Sequence, residues 1–183
     1  LLPLSVSLNV MATGPLELYR AEDFPEGRTD IDGQQLDLRR ENSWTQTIGK
    51  VHIAECLETQ VINSVAPFYI IQQLEPLFSG SFILNITSAE GRKGPKFAVH
   101  PHNNMSKAAL NMLTQTIAGD YLRVRDTIVV GIDTGWANTM VGETRMAKLT
   151  YEDSAARAIQ PLVDERRREY SGKLLRNYEV VPW

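Results

Sequence analysis

The fold is decided by residues 127–133, TIVVGID, an almost wholly apolar run of strand length. A second run at residues 82–87, FILNIT, is equally short and rich in residues that favour β-structure. Strands that are apolar along most of their length, rather than alternating, are typical of parallel sheets with helices on both faces. We therefore predict two buried, parallel strands at these positions.

Segments with the apolar spacing of helices lie before the first strand and between the two strands. Before the first strand, apolar residues recur at three- and four-residue steps and predict a helix over about 51–75, which Pro67 should bend or divide. Between the strands we predict a helix over about 103–121, capped by Asn103 or Asn104. Both helices would pack against the sheet.

The carboxyl-terminal part of the chain predicts one more helix and one more strand. Thr150 and Asp153 have the spacing of a helix N-cap and open a predicted helix over about 151–168, while residues 173–177 form a last short strand. The order helix, strand, helix, strand, helix, strand predicts an α/β protein: a parallel sheet of about three strands, flanked by three to four helices and wound by right-handed crossovers.

Residues 1–42 differ from the rest of the chain because Pro and Gly punctuate them. We expect an irregular segment that lies over a single domain at 43–183. At the start of that domain, Ser43 and Gln46 have the spacing of a capping box, so either a short turn or an ordinary loop begins there.

Composition narrows the classes of function. The 183 residues are 43% hydrophobic and 22% charged, which excludes a disordered chain, and the formal net charge of -3 argues against nucleic acid as the main partner. No apolar run approaches the roughly 18 residues of a membrane span. The single Cys56 favours an intracellular, reducing compartment, either the cytoplasm or an organelle matrix. His52 with Cys56, or His100 with His102, are too few ligands to predict a metal site.

Four motifs occur in a fixed order along the chain. They are Asn63 followed by Ala66-Pro67-Phe68, Asn85-Ile86-Thr87-Ser88 followed by Gly91, Ser106-Lys107-Ala108-Ala109-Leu110-Asn111-Met112-Leu113-Thr114, and Thr134-Gly135 followed by Thr139. In these motifs and their spacing, roughly residues 43–183 resemble the short-chain dehydrogenase/reductase family. The resemblance implies the carboxyl-terminal half of a Rossmann-like sheet, with the first four strands missing.

The resemblance also implies a catalytic group. In the family an Asn, a Ser and a Tyr-x-x-x-Lys pair do the chemistry, and Asn63, Ser88 and Lys107 occupy the Asn, Ser and Lys places. The Tyr place falls on Asn103, one helical turn from Lys107, whose ammonium would lower the pKa of a Tyr there. An amide does not exchange a proton at useful pH, and losing general acid–base help typically costs about 10²- to 10⁴-fold. An alternative proton donor is His102, which titrates near neutral pH.

The cofactor implied by the resemblance is NAD or NADP. Lys107, Thr134, Gly135 and Thr139 occupy places that meet it in the family. The 12 glycines of this sequence, however, contain no Gly-x-Gly turn to hold a pyrophosphate. We therefore expect NAD or NADP to bind only when another polypeptide supplies the missing half, and no cofactor to bind this chain alone.

Missing strands would leave the strand at 82–87 with an open edge, and open edges recruit partners. We expect another polypeptide there, either the missing half or a subunit of an assembly; failing that, residues 1–42 would cover the edge. A homo-oligomer through helices 51–75 and 103–121 is a further expectation, because helix 103–121 has two apolar stripes; the alternative is that helices of the same chain cover both stripes.

Three functional hypotheses follow from these expectations. The first is a degenerate family member that serves as a structural or binding subunit of a larger assembly. The alternative is an NAD(P)-dependent oxidoreductase that acts on a small carbonyl or alcohol substrate once the missing half completes it. The third is a plain scaffold without a ligand.

Overall fold

A single sheet organises the chain. The computed structural model describes residues 20–29, 33, 35–94, 98–137 and 147–183. The sheet has four strands in the order β1-β2-β3-β4, which are Phe82–Thr87, Ile128–Asp133, Leu174–Arg176 and Glu179–Val181. The first three strands are parallel and β4 is antiparallel to β3. The predicted α/β class and the two predicted parallel strands are thus confirmed.

The fourth strand was not predicted. β3 and β4 are joined by the two-residue turn Asn177-Tyr178, in which both residues have positive φ values of 51° and 68°. Such turns are usually marked by Asn-Gly, because Gly adopts positive φ without strain. Tyr178 in the second position removes that signal from the sequence.

The predicted helix over 51–75 is one helical path that changes type in its middle. It consists of α1 (Ile53–Gln60), a π-helical turn (Val61–Val65), α2 (Ala66–Leu74) and a 3₁₀ turn (Glu75–Leu77). Pro67 stands in the first turn of α2, where its missing N–H costs least. Pro67 was expected to bend or divide the helix. The structure instead continues the helical path and changes it to a π-helical turn just before α2.

Helix α3 is Pro101–Arg125 and extends beyond the predicted 103–121 at both ends. The predicted cap at Asn103 or Asn104 is wrong. His100 precedes the helix in the left-handed conformation, with φ of 44° and no capping hydrogen bond from its side chain, and Pro101 takes the first helical position. Pro is suited to that position because its ring fixes a helical φ.

Helix α4 is Tyr151–Val163, and its predicted cap is confirmed. The Thr150 hydroxyl accepts a hydrogen bond from the Asp153 N–H at 3.1 Å, and the Asp153 carboxylate accepts from the Thr150 N–H in return. The helix ends before the predicted residue 168. Asp164 ends it by accepting hydrogen bonds from the Arg166 N–H at 2.8 Å and from the Tyr170 hydroxyl at 2.7 Å.

Strand β2 lies at the centre of the core. All six of its residues are buried, and its two faces belong to two apolar clusters. The buried members of these clusters are Ile128, Val130, Ile132, Tyr170 and Leu175 on one face and Ile71, Ile83, Ala118 and Val129 on the other. Burial on both faces holds for β2 but is wrong for β1 in this chain, where Ile86 is 42% exposed.

The described part of residues 1–42 consists of turns and bends with one isolated β-bridge between Thr29 and Gln35. Near the end of this segment, a guanidinium nitrogen of Arg39 lies 3.8 Å from a carboxylate oxygen of Glu55 in α1. Within the described ranges, no helix combines the length and the apolar character that crossing a membrane requires.

Candidate functional site

Ser88 begins the turn that follows β1. Its backbone is extended, and its hydroxyl oxygen accepts a hydrogen bond from the Glu90 N–H at 3.2 Å, which caps the 3₁₀ turn Ala89–Gly91. A serine hydroxyl has two lone pairs and one proton. Capping therefore leaves the Ser88 proton free to donate to another group.

Gly91 lets this turn approach α3. A Cβ atom at Gly91 would lie 2.7 Å from the Lys107 carbonyl carbon, so only glycine fits without a shift of the backbone. The Asn111 side chain fixes the contact by donating from Nδ2 to the Gly91 carbonyl at 3.0 Å. This contact brings Ser88 and the Lys107 turn of α3 to the same end of the sheet.

Lys107 projects from α3 to the end of β1. Its Nζ donates to the Ile86 carbonyl at 3.1 Å, two residues before Ser88. Burial lowers the pKa of the Lys107 ammonium, because desolvation disfavours its charged form. The amine is thus fixed at the carboxyl edge of the sheet.

Asn63 lies in the π-helical turn and contacts the residue next to Lys107. Its Nδ2 donates to the Ser106 hydroxyl at 3.2 Å, and that hydroxyl donates to the Asn103 carbonyl at 2.8 Å. Single π-helical turns are frequent at functional sites. The structure therefore brings Asn63 to the amino-terminal half of α3, where its amide is linked to Asn103 through Ser106.

Asn103 stands one turn before Lys107 on α3 and is half-buried. Its side chain is an amide, which forms hydrogen bonds in both directions but has no proton to exchange near neutral pH. The position that the resemblance gives to a phenol is thus filled by a group that is able to hold a ligand but not to protonate it.

Thr134 and Gly135 follow β2 beside Ser88. The Gly135 N–H donates to the Asp133 carboxylate at 2.9 Å, and Gly135 has a positive φ of 82°. The Ser154 hydroxyl of α4 donates to the Thr134 carbonyl at 3.5 Å. Thr139 lies outside the described residues. We call Ser88, Asn103, Lys107, Thr134 and Gly135 the carboxyl-edge site.

The described residues do not fit a whole dinucleotide. A Cβ atom at Gly135 would lie 2.6 Å from Leu149 Cδ1 and 3.0 Å from a guanidinium nitrogen of Arg157, so protein side chains already fill the space beside this glycine. A pyrophosphate needs glycines that admit the ligand and a helix N-terminus behind them. The described residues around Gly135 therefore offer no cradle for a pyrophosphate.

His102 is fully buried on a different side of α3 from Lys107. It lies near Glu55 of α1, and neither of its ring nitrogens has a hydrogen-bond partner among the described groups. Burial lowers its pKa, His100 acts in the same direction and Glu55 opposes them. His102 therefore belongs to the contact between α1 and α3. In the described part of the chain, no three His, Cys, Asp or Glu side chains converge as a metal site would need.

Glu55 accepts hydrogen bonds from two side chains whose spacing had indicated a capping box. Ser43 donates to one of its carboxylate oxygens and Gln46 donates to the other at 3.2 Å. Of the two alternatives predicted for this place, the short turn is confirmed at residues 43–45, but the Ser43 and Gln46 side chains bind Glu55 and form no capping box. Asn42 forms the local turn instead, by accepting from the Trp44 N–H at 3.0 Å. The competing partner is distant in sequence, so spacing alone did not reveal it.

Sequence reasoning also missed several buried polar residues around the carboxyl-edge site. Asn85 donates to the Thr114 hydroxyl at 2.8 Å between β1 and α3, and Thr87 and Asp133 end β1 and β2. A signal existed for all three, since each is a polar residue inside or at the end of an apolar strand. A buried polar residue is more informative than an exposed apolar one.

Comparison with known proteins identifies the fold. No family model matches the chain. An uncharacterised protein of Acanthamoeba polyphaga mimivirus is 25% identical over 153 residues, which cover 74% of this chain and 32% of that protein. This chain thus spans about a third of the length of that relative.

Solved structures match over most of this chain. The carbonyl reductase Sniffer of Drosophila melanogaster has a TM-score of 0.66 and 23% identity, over 76% of this chain and 61% of that one. An NADPH-bound carbonyl reductase from chicken fatty liver has a TM-score of 0.66 and 22% identity, over 79% and 64%. A Burkholderia multivorans short-chain dehydrogenase/reductase with bound NADP has a TM-score of 0.61 and 23% identity, over 76% and 60%. The chain spans about 60% of the length of these proteins, and its fold is that of the short-chain dehydrogenase/reductases.

Proposed function

We propose that this chain is a degenerate short-chain dehydrogenase/reductase-like subunit that binds a small alcohol or carbonyl compound at the carboxyl-edge site without transferring a proton to it. One observation carries the proposal. Asn103, one helical turn from Lys107, offers an amide in place of a titratable group. Binding groups are retained around it, whereas the group for acid–base chemistry is absent.

The groups that remain suit binding. The Ser88 hydroxyl keeps its proton free to donate, and the Lys107 amine lies at the same edge of the sheet. A donor fixed in advance binds a ligand oxygen without having to be ordered first, which favours affinity. The carboxyl ends of parallel strands are also where open α/β sheets hold their ligands.

The test is consumption of NADH or NADPH by the purified protein with 1-tetralone as the carbonyl compound. We expect no consumption above that of the buffer, while 1-tetralone itself binds. Turnover that Ser88→Ala abolishes, and that the exposed control Ser79→Ala leaves intact, would contradict the proposal.

A second candidate function is an NAD(P)-dependent oxidoreductase that another polypeptide completes. It is favoured by the burial of Lys107, which lowers the pKa of its amine, and by neighbours in the fold whose structures hold NADP or NADPH. In this case NAD or NADP would bind only to the completed assembly. This candidate predicts that adding the partner polypeptide produces NADPH-dependent reduction that is lost in both Ser88→Ala and Lys107→Met.

We also propose a protein partner. Among the described strands, β1 pairs only with β2, so its other edge has unpaired backbone groups. The outer faces of α1, α2 and α3 expose large apolar side chains, including Ile62, Phe68, Tyr69, Met105 and Met112. The missing half or an assembly subunit would cover the β1 edge, and a second copy would cover the helices.

The single Cys56 suits a reducing, intracellular compartment.

Sedimentation velocity tests the oligomer. Ile62→Glu with Met112→Glu should lower the sedimentation coefficient to that of a monomer, because a buried charge opposes association. Ile48→Glu lies on the exposed loop before α1 and should leave the oligomer intact. An unchanged sedimentation coefficient in the double variant would show that these helices do not form the interface.

A further inference from the structure

Two buried side-chain oxygens lie at the ends of β1 and β2 and form no hydrogen bond to a described group. Thr87 Oγ1 and Asp133 Oδ2 have no hydrogen-bond partner among the described groups, although the two residues are only 4% and 3% exposed. An unsatisfied buried polar atom is costly and needs an explanation. The buried polar residues Asn85 and Thr114 nearby form a hydrogen bond with each other. Burial alone therefore does not explain why the Thr87 and Asp133 oxygens form none.

The two oxygens share one place in the sheet. Thr87 and Asp133 are register partners in the parallel ladder, so their side chains extend from the same face at the last position of each strand. The next residues along the chain are Ser88 and Thr134 of the carboxyl-edge site. The pair therefore lies directly beneath the turns that follow β1 and β2.

Asp133 is held in a fixed orientation. Its Oδ1 accepts from the Gly135 N–H at 2.9 Å, and Arg176, its register partner on β3, lies with Nε 3.4 Å from Oδ2. Arg176 and the Gly135 N–H thus hold the buried Asp133 side chain from two sides. The Oδ2 atom keeps lone pairs that a further donor is able to use.

The chemistry of the pair selects one kind of ligand group. A carboxylate oxygen only accepts hydrogen bonds, whereas a threonine hydroxyl donates and accepts. An alcohol hydroxyl that donates to Asp133 and accepts from Thr87 would satisfy both oxygens at once. A carbonyl oxygen has no proton to donate and would face the carboxylate, and an anionic group would be repelled by it.

We infer that Thr87 and Asp133 form a hydroxyl-binding subsite, and that the compound held at the carboxyl-edge site carries an alcohol group. The inference rests on the proposed function and deepens it by naming the ligand class. Neither residue is among those that the resemblance to the reductases assigns to chemistry.

The experiment compares 1-tetralol with 1-tetralone, which share a skeleton and differ in the oxygen group. Calorimetric titration of the purified protein should show 1-tetralol binding about tenfold more tightly, the worth of a hydrogen bond to a charged group. Asp133→Asn keeps an oxygen for the Gly135 N–H but is able to place a donor where Oδ2 stood, so the preference should vanish or reverse. Asp120→Asn is the control, because Asp120 is exposed on α3.

Thr87 provides a second test in case Asp133→Asn does not fold. Thr87→Val should lose most of the preference for 1-tetralol, and Thr87→Ser should keep it because it restores the hydroxyl. Equal affinity of the native protein for the two probes, or binding of neither, would overturn the inference. So would a preference that survives both Asp133→Asn and Thr87→Val.

The outcomes also separate this inference from the proposed function. Turnover of 1-tetralone with NADPH would refute a non-catalytic role while leaving a preference for the alcohol intact. Absence of turnover together with equal affinity for the two probes would overturn the subsite alone.

Discussion

The two halves of α3 lie against the same sheet with different chemistry. In the carboxyl-terminal half, Leu113, Ile117, Ala118 and Tyr121 belong to the apolar cluster around Ile83. The amino-terminal half instead buries mostly polar side chains, His102, Ser106 and Asn111, together with Leu110. Burying polar groups is costly unless hydrogen bonds compensate, whereas burying apolar groups is favourable. The comparison teaches that one half of the helix holds the fold together and the other holds the candidate site.

The largest effect should come from the apolar half. Ile83→Ala removes a buried side chain from the cluster against α3 and should lower the free energy of unfolding by about 3 kcal/mol. Ile86→Ala on the same strand is the control and should cost clearly less, because Ile86 is largely exposed. Chemical denaturation measures both, and equal losses would contradict the division between the two halves.

A smaller effect is expected where the polar half meets the Ser88 turn. Gly91→Ala places a Cβ atom against the Lys107 backbone and should cost about 2 kcal/mol, the usual scale of overpacking. Gly119→Ala in the other half of α3 is the matched control, because a Cβ atom there meets open space.

The Gly119→Ala control should stabilise the protein by roughly 0.5–1 kcal/mol through helix propensity. The two glycine variants should therefore change stability in opposite directions. The same sign for both would show that the approach of the Ser88 turn to α3 is not tight.

The smallest expected effect is the pH dependence that His102 gives to the free energy of unfolding. Burial holds the pKa of its imidazole below the ordinary value of 6.5, with His100 acting in the same direction and Glu55 opposing them. As pH falls, the imidazole is protonated in the unfolded chain before it is protonated in the folded chain. The contribution of His102 to the free energy of unfolding is therefore full above about pH 6.5 and is lost as pH falls toward the folded-state pKa.

Thermal unfolding between about pH 7.5 and about pH 5.5 measures this contribution. The native protein should lose more stability on acidification than His102→Gln, whose side chain does not titrate. Parallel curves for the two proteins would show that His102 does not sense the pH in this contact.

The positions of β1 and β2 were predictable from sequence because both are short runs of mainly apolar residues that favour β-structure. The prediction for residues 82–87 matches β1 throughout, and β2 begins one residue after its predicted start. The cap at Thr150 was also found, since both partners lie within one turn of each other. These features depend on local patterns and on burial, and both leave a mark in the sequence.

Features that depend on distant partners were not predictable. Ser43 and Gln46 have local capping geometry available but bind Glu55, which lies nine or more residues away. The tight approach of Gly91 to α3 depends on the packing of a turn against a helix. Spacing alone does not contain such information.

The proximity of several candidate residues could be inferred from sequence, whereas their roles remain predictions. The structure brings Ser88 and the Lys107 turn to one end of the sheet and places Asn63 beside them through Ser106. Thr87 and Asp133 were not predicted as site residues, because both lie in segments predicted to be buried strands. Their shared position at the strand ends appears only once the register of β1 and β2 is known.

The most direct measurement of the central claim is the titration of a phenol introduced at residue 103. We propose that the carboxyl-edge site keeps the surroundings of a proton-transferring phenol, with the Asn103 amide in the place of that phenol. In Asn103→Tyr, the tyrosinate absorbance gained over the native protein should titrate below the ordinary pKa of about 10, because Lys107 favours the phenolate. Adding Lys107→Met should raise that pKa. A phenol that titrates at or above its ordinary value, with no response to Lys107→Met, would contradict the account.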